Sequence, residues 1–313
     1  MPHPRPFRFG VQLSTAASAA DWAGLAREAE SLGYSTLFVP DHFGDQLSPG
    51  PALTAAAAAT TDLRVGTLVL DNDYKHPVVT AKEMATIDLL SDGRLELGIG
   101  AGWMASDYEQ SGIPMDDAAT RVDRLAEGLA VLKGLFAPGP FSYQGKHYQV
   151  ADLDGQPLPV QRPNPPFIIG GGGPRVLALA AREADIVGIN PAVRSGRVDR
   201  AAAHDGTAAV TDRKLGWVRD AAGDRYAHLE LQMLLFACVV TDDRAGTLDS
   251  LAPLFSQSPD ELAEYPHAWV GSVDQIADDL VARRERWDVS YVVVQGADAM
   301  RAAAPVVARM AGA

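Results

Sequence analysis

Eight short apolar runs recur along this chain of 313 residues, and each is followed by a stretch with helical spacing. Strands that alternate with helices form parallel β-α-β units. Eight such units match the count of a (β/α)8 TIM barrel, an α/β fold. A doubly wound open sheet is the alternative, but the chain length favours one closed barrel. The predicted strands are 7–13, 35–40, 63–70, 94–100, 166–171, 185–190, 228–240 and 289–295.

One region interrupts the alternation after the fourth strand. Residues 101–119 look like a loop, 120–136 have helical spacing, and 141–166 are rich in proline, glycine and glutamine. The segment FSYQGKHYQV within this region resembles a short hairpin. We therefore predict a single domain over 1–313, with an insertion at about 101–165.

Composition excludes several classes of protein and site. The only cysteine is Cys238, so neither a disulfide within the chain nor a cysteine-based zinc site can form, and we expect no metal. The net charge of −13 argues against nucleic acid and against anionic membranes as partners. The longest strongly apolar stretch, 231–240, is too short for a membrane span, which needs about 20 residues. We expect a cytoplasmic protein with a small-molecule substrate.

The carboxyl ends of the predicted strands collect polar and aromatic residues. In TIM barrels this rim carries the active site. Asp41 and His42 follow the second strand, and histidine exchanges a proton near neutral pH, so this pair is the candidate catalytic group. A capping aspartate beside an exposed loop histidine is the alternative. Trp103, after the fourth strand, and Asn190, after the sixth, are candidates for contact with the substrate.

A run of glycines follows the fifth strand. Gly171, Gly172 and Gly173 allow the backbone to approach a ligand closely, and the helix that begins at Pro174 and Arg175 offers free N–H groups to an anion. The run matches neither the dinucleotide fingerprint nor the Walker A loop. We predict a phosphate cradle here, against the alternative of a tight turn that binds nothing.

Glycines at alternate positions mark the fourth strand. Gly98, Gly100 and Gly102 remove the side chains from one face of the strand and its exit. Such glycines mark the close approach of another group. This pattern fits a planar ring that lies on the strand, and it fits tight packing inside the barrel equally well.

Several long segments of the chain resemble the luciferase-like monooxygenase superfamily. The matching segments are FGVQL, GYSTLFVPDHF, LRVGTLVLDNDYKHPVVTAKEMATIDLLSDGRLELGIGAGW and FIIGGGGPRVLALAAREADIVG. The third is the most specific. Within the superfamily the chain is most similar to actinobacterial oxidoreductases that use coenzyme F420, a 5-deazaflavin, and TDRKLGWVRDAAGDRYAHLEL resembles one subgroup of these.

The resemblance implies a cofactor ring at the carboxyl ends of the strands and a phosphate at the glycine run. It implies a non-prolyl cis peptide near Leu70, Asp71 and Asn72, and ring contacts at Gly100, Ala101 and Gly102. It gives His42 a role in contacting the ring or transferring a proton, with Asp41 in support. It also implies a homodimer.

The expected activity is hydride transfer between coenzyme F420 and a small organic substrate. FMN-dependent monooxygenation is the first alternative, and a non-catalytic ligand-binding barrel is the second. Two positions depart from the family pattern. Trp103 stands where sugar-phosphate dehydrogenases of the family have glutamate, which argues against sugar-phosphate oxidation, and Asp71 stands where asparagine is expected.

Overall fold

Parallel hydrogen bonding joins the predicted strands into a closed barrel. The computed structural model describes residues 5–313, so the first four residues of the predicted domain lie outside the described chain. Strands are numbered in chain order. The barrel strands are β1 (Arg8–Gln12), β2 (Thr36–Val39), β3 (Arg64–Thr67) with β4 (Leu70–Asp71), β5 (Leu95–Gly100), β8 (Phe167–Gly171), β9 (Ile186–Ile189), β10 (Glu230–Leu234) and β13 (Val289–Gln295). Pairing of β1 with β13 and of β3 with β5 closes the ring, which confirms the predicted fold class.

Helices surround the barrel and bury their apolar faces against it. Local signals set their ends: Ser18 caps the first helix by accepting the Asp21 N–H, and proline opens the third at Pro77. The helices are α1 (Ala19–Ser31), α2 (Pro49–Ala59), α3 (Pro77–Leu90), α4 (Ala105–Ser111), α5 (Ala118–Phe136), α6 (Pro174–Glu183), α7 (Arg200–Asp205), α8 (Ala208–Ala222), α9 (Arg244–Phe255), α10 (Pro259–Ala263), α11 (Val273–Trp287) and α12 (Ala297–Met310).

The region predicted as an insertion divides into two parts. Helix α5 packs between α3 and α6 and therefore belongs to the ring of barrel helices. The predicted hairpin is present as β6 (Pro140–Gln144) and β7 (Gln149–Asp154), which pair with each other only. The Glu127 carboxylate fastens this hairpin to α5, since it accepts the backbone N–H groups of residues 146, 147 and 148.

The seventh predicted strand is wrong in its length. The run 228–240 forms β10 inside the barrel and then β11 (Ala237–Val240), which leaves the barrel and pairs with β12 (Ala268–Gly271) in a separate sheet. The chain turns at Phe236, whose N–H bonds to the His267 carbonyl instead of to a barrel strand. Cys238 lies on β11, half-buried, and burial raises the pKa of its thiol to about 12.

The inward faces of the strands form a charged layer at their amino ends. Glu96 on β5 is 1% exposed and receives hydrogen bonds from the Arg8 guanidinium at 2.6 Å and the Arg64 guanidinium at 2.8 Å. Arg8 also bonds to both carboxylate oxygens of Glu230, and its guanidinium stacks on the Tyr291 ring. Every buried charge in this layer is paired, as burial requires.

No helix within residues 5–313 has the length and apolar character needed to cross a membrane.

Candidate active site

His42 stands at the carboxyl end of β2 in a hydrogen-bonded chain of three side chains. Its Nδ1 lies 2.7 Å from Oδ2 of Asp107, and the Tyr74 hydroxyl donates to the same oxygen at 3.1 Å. A carboxylate only accepts hydrogen bonds, so the His42 Nδ1 carries the proton and Nε2 is left for a ligand. The ring of Trp103 meets that of His42 edge-on, with 5.7 Å between centroids. The predicted contact position at Trp103 therefore adjoins the predicted catalytic histidine.

Asp41, the predicted support of His42, makes no hydrogen bond to that histidine within the residues that the structure describes. Consecutive residues at a strand end point in different directions, and the Asp41 carboxylate turns to the next barrel strand, where it accepts the backbone N–H of Asp71 at 3.2 Å. Burial raises the pKa of Asp41. Asp107, on α4, takes the role instead, in a stretch where the sequence predicts only a loop.

Asp71 anchors a second polar cluster beside the first. Its carboxylate accepts the Tyr108 hydroxyl at 2.8 Å and the Asp73 N–H at 2.9 Å. Arg124 on α5 closes the cluster by pairing with Asp73 at 2.8 Å. Burial, together with the nearby carboxylates of Asp73 and Asp41, raises the pKa of Asp71 to about 6. Asp71 therefore exchanges a proton in a range where a free aspartate does not.

Gly102 is essential to the shape of this cluster. Its φ is +73°, and a Cβ atom there would lie 1.9 Å from the Tyr108 hydroxyl and 2.3 Å from Oδ2 of Asp71. The neighbouring Ala101 carbonyl accepts Nε of Arg121 at 3.0 Å. Gly102, which follows β5, therefore contacts the Asp71 cluster directly. This agrees with its predicted position at the rim of the barrel.

The third barrel strand breaks between its two pieces, at Leu68 and Val69. The peptide bond between these residues is cis, two residues before the predicted position near Leu70. Gln12 on β1 donates to the Leu68 carbonyl at 2.6 Å, and Gln295 donates to Gln12 at 2.8 Å. The break turns the Val69 side chain toward the inner face of β5.

The Val69 side chain packs against the glycines of β5. A Cβ on Gly98 or on Gly100 would lie 3.0 Å from a Val69 methyl, and a Cβ on Gly170 would lie 3.9 Å away. The alternating glycines had two interpretations, a bound ring or tight packing inside the barrel. The structure supports tight packing, because Val69 contacts them. A Cβ on Gly100 would also lie 3.9 Å from the Gly170 carbonyl.

Two predicted cofactor contacts point away from the rim. Leu70 is buried in the core between barrel and helices. Asn72 is 4% exposed, and its amide donates to the Tyr148 hydroxyl while its oxygen lies against Gly128 of α5. Alternation along an extended strand puts Asp71 on the opposite side from both neighbours, so only one residue of the predicted trio faces the rim.

The glycine run forms the turn between β8 and α6. Gly172 is buried, and a Cβ there would lie 2.3–2.5 Å from backbone atoms of residues 190–192. Helix α6 begins with Gly173 at the N-cap, no side chain bonds to its first turn, and Pro174 follows. Arg175, which was predicted to add a positive charge at this cradle, pairs instead with Asp123 on the surface, at 2.6 Å. An anion at this helix would therefore be held by backbone N–H groups.

Asn190 leaves β9 at the same edge of the barrel. Its backbone is fixed on both sides: its N–H donates to the Gly171 carbonyl at 3.0 Å, and its carbonyl accepts Nζ of Lys214 at 2.8 Å. Lys214 is 1% exposed and is also paired with Asp205. Burial lowers the pKa of Lys214. The predicted substrate contact thus adjoins the predicted phosphate cradle.

These residues fit a cofactor with a planar ring and a phosphate. The first turn of α6 presents N–H groups that no side chain claims. The strand exits beside it have bare glycine faces, where a Cβ at Gly170 would lie 3.2 Å from the Asn190 amide. His42 and Asp71 supply two proton-exchanging groups at the same rim.

Sequence reasoning missed Asp107, Tyr74, Tyr108 and Lys214. Asp107 and Tyr108 lie on α4, and the glycine that ends this short helix, Gly112, was the available signal. No sequence pattern marks Lys214 as a site residue, because its hydrogen-bond partners lie on other elements of the fold.

Comparisons with known proteins show a shared fold and a shared family. The fold superposes on the coenzyme F420-dependent tetrahydromethanopterin reductase from Methanopyrus kandleri with a TM-score of 0.78 and 18% identity, covering 98% of this chain and 100% of that chain. In sequence, the chain is 31% identical over 192 residues to the F420-dependent glucose-6-phosphate dehydrogenase of Microbacterium testaceum, which covers 58% of this chain and 55% of that protein.

A relative with a different cofactor in its name matches at a similar identity over a shorter stretch. The FMNH(2)-dependent dimethylsulfone monooxygenase of Pseudomonas putida is 32% identical over 131 residues, or 42% of this chain and 36% of that protein. The chain thus spans about half or less of the length of these curated relatives. The family model for luciferase-like monooxygenases matches residues 5–285. Since this match covers most of the chain, the protein belongs to the luciferase-like monooxygenase family.

Proposed function

We propose that this protein transfers a hydride between coenzyme F420 and a small organic substrate. The observation that carries the proposal is the His42–Asp107 pair at the rim, 2.7 Å apart, beside Trp103 and on the same edge as the uncapped start of α6. The similarity to the F420-dependent glucose-6-phosphate dehydrogenase supports the choice of cofactor.

His42 is the group that exchanges a proton with the substrate. Asp107 holds its Nδ1–H, which orients the ring, and Nε2 takes or gives the proton as an alcohol and a carbonyl interconvert. Tyr74 fixes Asp107 in turn. Trp103 packs edge-on against the histidine ring and restricts its orientation.

The cofactor binds through the backbone at one edge of the barrel. The N–H groups at the start of α6 hold its phosphate, and its ring lies at the rim beside His42, Trp103 and Asp71. When bound, a deazaflavin supplies the carbon that accepts or donates a hydride, since it lacks the ring nitrogen through which flavins react with oxygen. Asp71 and Gly102 shape the wall beside it.

Cofactor titration tests the proposal without knowledge of the substrate. Purified protein is titrated with F420 and, separately, with FMN, and binding is followed by fluorescence. We expect saturable binding of F420, and no oxygen consumption when reduced F420 is added. Binding of FMN with oxygen consumption in the presence of a flavin reductase would instead support monooxygenation, which the similarity to the dimethylsulfone monooxygenase favours. Binding of neither cofactor would refute the proposal.

Two variants test the histidine pair. Against a panel of small alcohols and carbonyl compounds, we expect His42→Ala to lower kcat by roughly 10²–10⁴ at saturating cofactor, the usual worth of a general acid or base. Asp107→Asn should lower kcat by roughly 10² while leaving the Kd of F420 within about twofold, because it disturbs the orientation of His42 only. Glu28→Gln, in the surface pair with Arg301 and outside the rim, is the control. An unchanged kcat in His42→Ala would refute the role of His42 in proton transfer, whereas absence of turnover by the wild-type protein with every compound of the panel would support the non-catalytic binding barrel.

We also propose that the protein forms a homodimer through α2 and α3. Helix α2 is alanine-rich on its exposed as well as its buried positions, and α3 packs beside it. Helix α3 nonetheless exposes Val79, Leu89 and Leu90. A second copy of the chain would cover this surface.

A further inference from the structure

Two carboxylates meet one hydroxyl group in the wall of the barrel rim. The Tyr108 hydroxyl lies 2.8 Å from Oδ2 of Asp71 and 3.1 Å from Oδ2 of Asp73. Tyr108 is 2% exposed, and the side chain of Asp73 is 1% exposed. The Asp71 carboxylate is also held from its other side, because its Oδ1 accepts the Asp73 backbone N–H at 2.9 Å. The three side chains therefore form a buried series that runs from Asp71 through Tyr108 to Asp73.

This series has one hydrogen too few for its own contacts when both carboxylates are ionised. A hydroxyl carries a single hydrogen, so Tyr108 donates to Asp71 or to Asp73 but not to both. One added proton satisfies both contacts in two ways: Asp73 donates to Tyr108 and Tyr108 to Asp71, or Asp71 donates to Tyr108 and Tyr108 to Asp73. Exchange between these arrangements moves two hydrogens in the same direction. It transfers one proton along the series and leaves Tyr108 neutral.

The Asp73 end of the series reaches a cleft at the side of the rim, which we call the side cleft. It has a volume of about 320 Å³ and lies between the loop after β4, the loop before α5 and the hairpin. Asp73, Arg124, Asp116 and His76 are among the residues that line it. Arg124 pairs with Asp73 at 2.8 Å and also with Asp116. The side cleft has room for water and reaches solvent, because Asp116 and His76 are exposed.

The Asp71 end of the series lies at the rim among other ionisable groups. Asp41, at the exit of β2, accepts the Asp71 backbone N–H, Tyr108 belongs to α4, and Arg121 and Arg124 face the series from α5. Burial and the nearby carboxylates raise the pKa of Asp71 to about 6. The rim end of the series therefore takes up a proton at a pH where an ordinary aspartate is ionised.

We propose that Asp71, Tyr108 and Asp73 share one proton and carry it between the barrel rim and the side cleft. A proton enters at Asp73 from water in the side cleft as the hydroxyl hydrogen of Tyr108 passes to Asp71, and the reverse movement releases it. The series gives the site a path for protons that avoids the mouth of the barrel. Its role in turnover rests on the proposed function, since hydride transfer to a carbonyl, or from an alcohol, also takes up or releases one proton.

Infrared titration of the free protein tests whether the series holds a shared proton. Difference spectra between wild type and Asp71→Asn, in protein labelled isotopically at aspartate, isolate the carboxyl band of Asp71. We expect this band to titrate near pH 6. Tyr108→Phe should move the midpoint upward, because the ionised carboxylate loses a hydrogen-bond donor, and Asp73→Asn should move it downward, because a neighbouring negative charge is removed. Tyr226→Phe, at a hydroxyl 2.7 Å from Asp288, is the matched control and should leave the midpoint unchanged.

Kinetic measurements separate transport of the proton from a structural role. With saturating F420 and the most active compound of the panel, Tyr108→Phe should lower kcat by roughly tenfold or more and leave KM within about twofold. The solvent deuterium isotope effect on kcat should be larger in this variant than in wild type, because proton delivery becomes slower than hydride transfer. Tyr226→Phe should match wild type in both measurements. A lower kcat with an unchanged isotope effect would assign Tyr108 a structural role and would overturn the proposal, as would an unchanged kcat.

Failure of the proton path is distinguishable from failure of the proposed function. If the wild-type protein binds neither F420 nor FMN, the proposed function fails, and the infrared titration alone decides whether the series holds a shared proton. An Asp71 carboxyl that ionises in the ordinary range of aspartate would overturn the proposal. A midpoint that neither Tyr108→Phe nor Asp73→Asn moves would overturn it as well.

Discussion

At the scale of single residues, the site is built from pairs that lie far apart in the chain. His42 and Asp107 are separated by 65 positions, and Asp71 meets Tyr108 across 37. The sequence predicts His42 and Asp71 because each follows an apolar strand, and strand ends converge in a barrel. It cannot predict Asp107, since which carboxylate reaches the histidine depends on how α4 lies over the rim. Asp41 was the nearest candidate in sequence, and the direction of its side chain excluded it.

The raised pKa of Asp71 gives a pH dependence with a definite sign. The carboxyl ionises near pH 6 in the folded protein and near 3.8 in the unfolded chain, so the folded state holds the proton more tightly. Its stabilising contribution is complete below about pH 4 and is lost as the pH rises through 6, by up to about 3 kcal/mol. Asp71→Asn does not ionise. We therefore expect the free energy of unfolding of the variant, relative to wild type, to increase between pH 4 and pH 8.

Urea unfolding at several pH values measures this difference. Asp62→Asn, at an exposed loop position, is the control. A difference between Asp71→Asn and wild type that stays constant across the range would contradict the proposed titration.

At the scale of strands and helices, the apolar runs correctly predicted the order of strands and helices in the barrel. They did not predict the points at which a single apolar run is divided into two strands. The strand over 228–240 looked continuous because Leu235 and Phe236, where the chain leaves the barrel, are as apolar as their neighbours. The third strand looked continuous over Leu68 and Val69 for the same reason. In both places the partner strand decides where pairing stops, and a single sequence carries no record of that partner.

The charged layer at the amino ends of the strands predicts a large effect on stability. Burial alone would raise the pKa of Glu96, but the guanidinium groups of Arg8 and Arg64 outweigh it and hold the pKa below its usual range. Glu96→Gln removes the charge that both arginines share. We expect a loss of about 3 kcal/mol in the free energy of unfolding, measured with urea at pH 7, because Arg64 loses its carboxylate partner and Arg8 keeps only Glu230.

A surface pair provides the matched control for that variant. Glu183 pairs with Lys133 at 2.8 Å, with both side chains partly exposed to solvent. Glu183→Gln should therefore change the unfolding free energy by less than about 1 kcal/mol. Equal effects in the two variants would show that the inner layer contributes no more than a surface ion pair.

At the scale of the whole molecule, the exposed apolar face of α3 predicts association. We expect the wild-type protein to sediment as a dimer at micromolar concentration. Leu90→Glu, which places a charge on a side chain that is 61% exposed in the single chain, should shift it toward the monomer without unfolding it. Analytical ultracentrifugation measures the mass, and circular dichroism checks the fold.

A second exposed leucine serves as the control for the dimer. Leu254 on α9 is 77% exposed and lies outside α2 and α3. Leu254→Glu should remain dimeric. A monomeric wild-type protein, or equal dissociation of both variants, would contradict the proposed interface.

The two ends of the barrel also differ in how freely they can change. Side chains in the layer of Arg8, Glu96 and Glu230 depend on one another, so single replacements there are costly and most will be removed by selection. The rim is formed by segments that leave the strands separately, and it includes exposed side chains such as that of Phe43. Descendants of such a chain can therefore acquire new substrates through changes at the rim while the amino-end layer stays constant. A mutant library aimed at new activity should accordingly be confined to the rim.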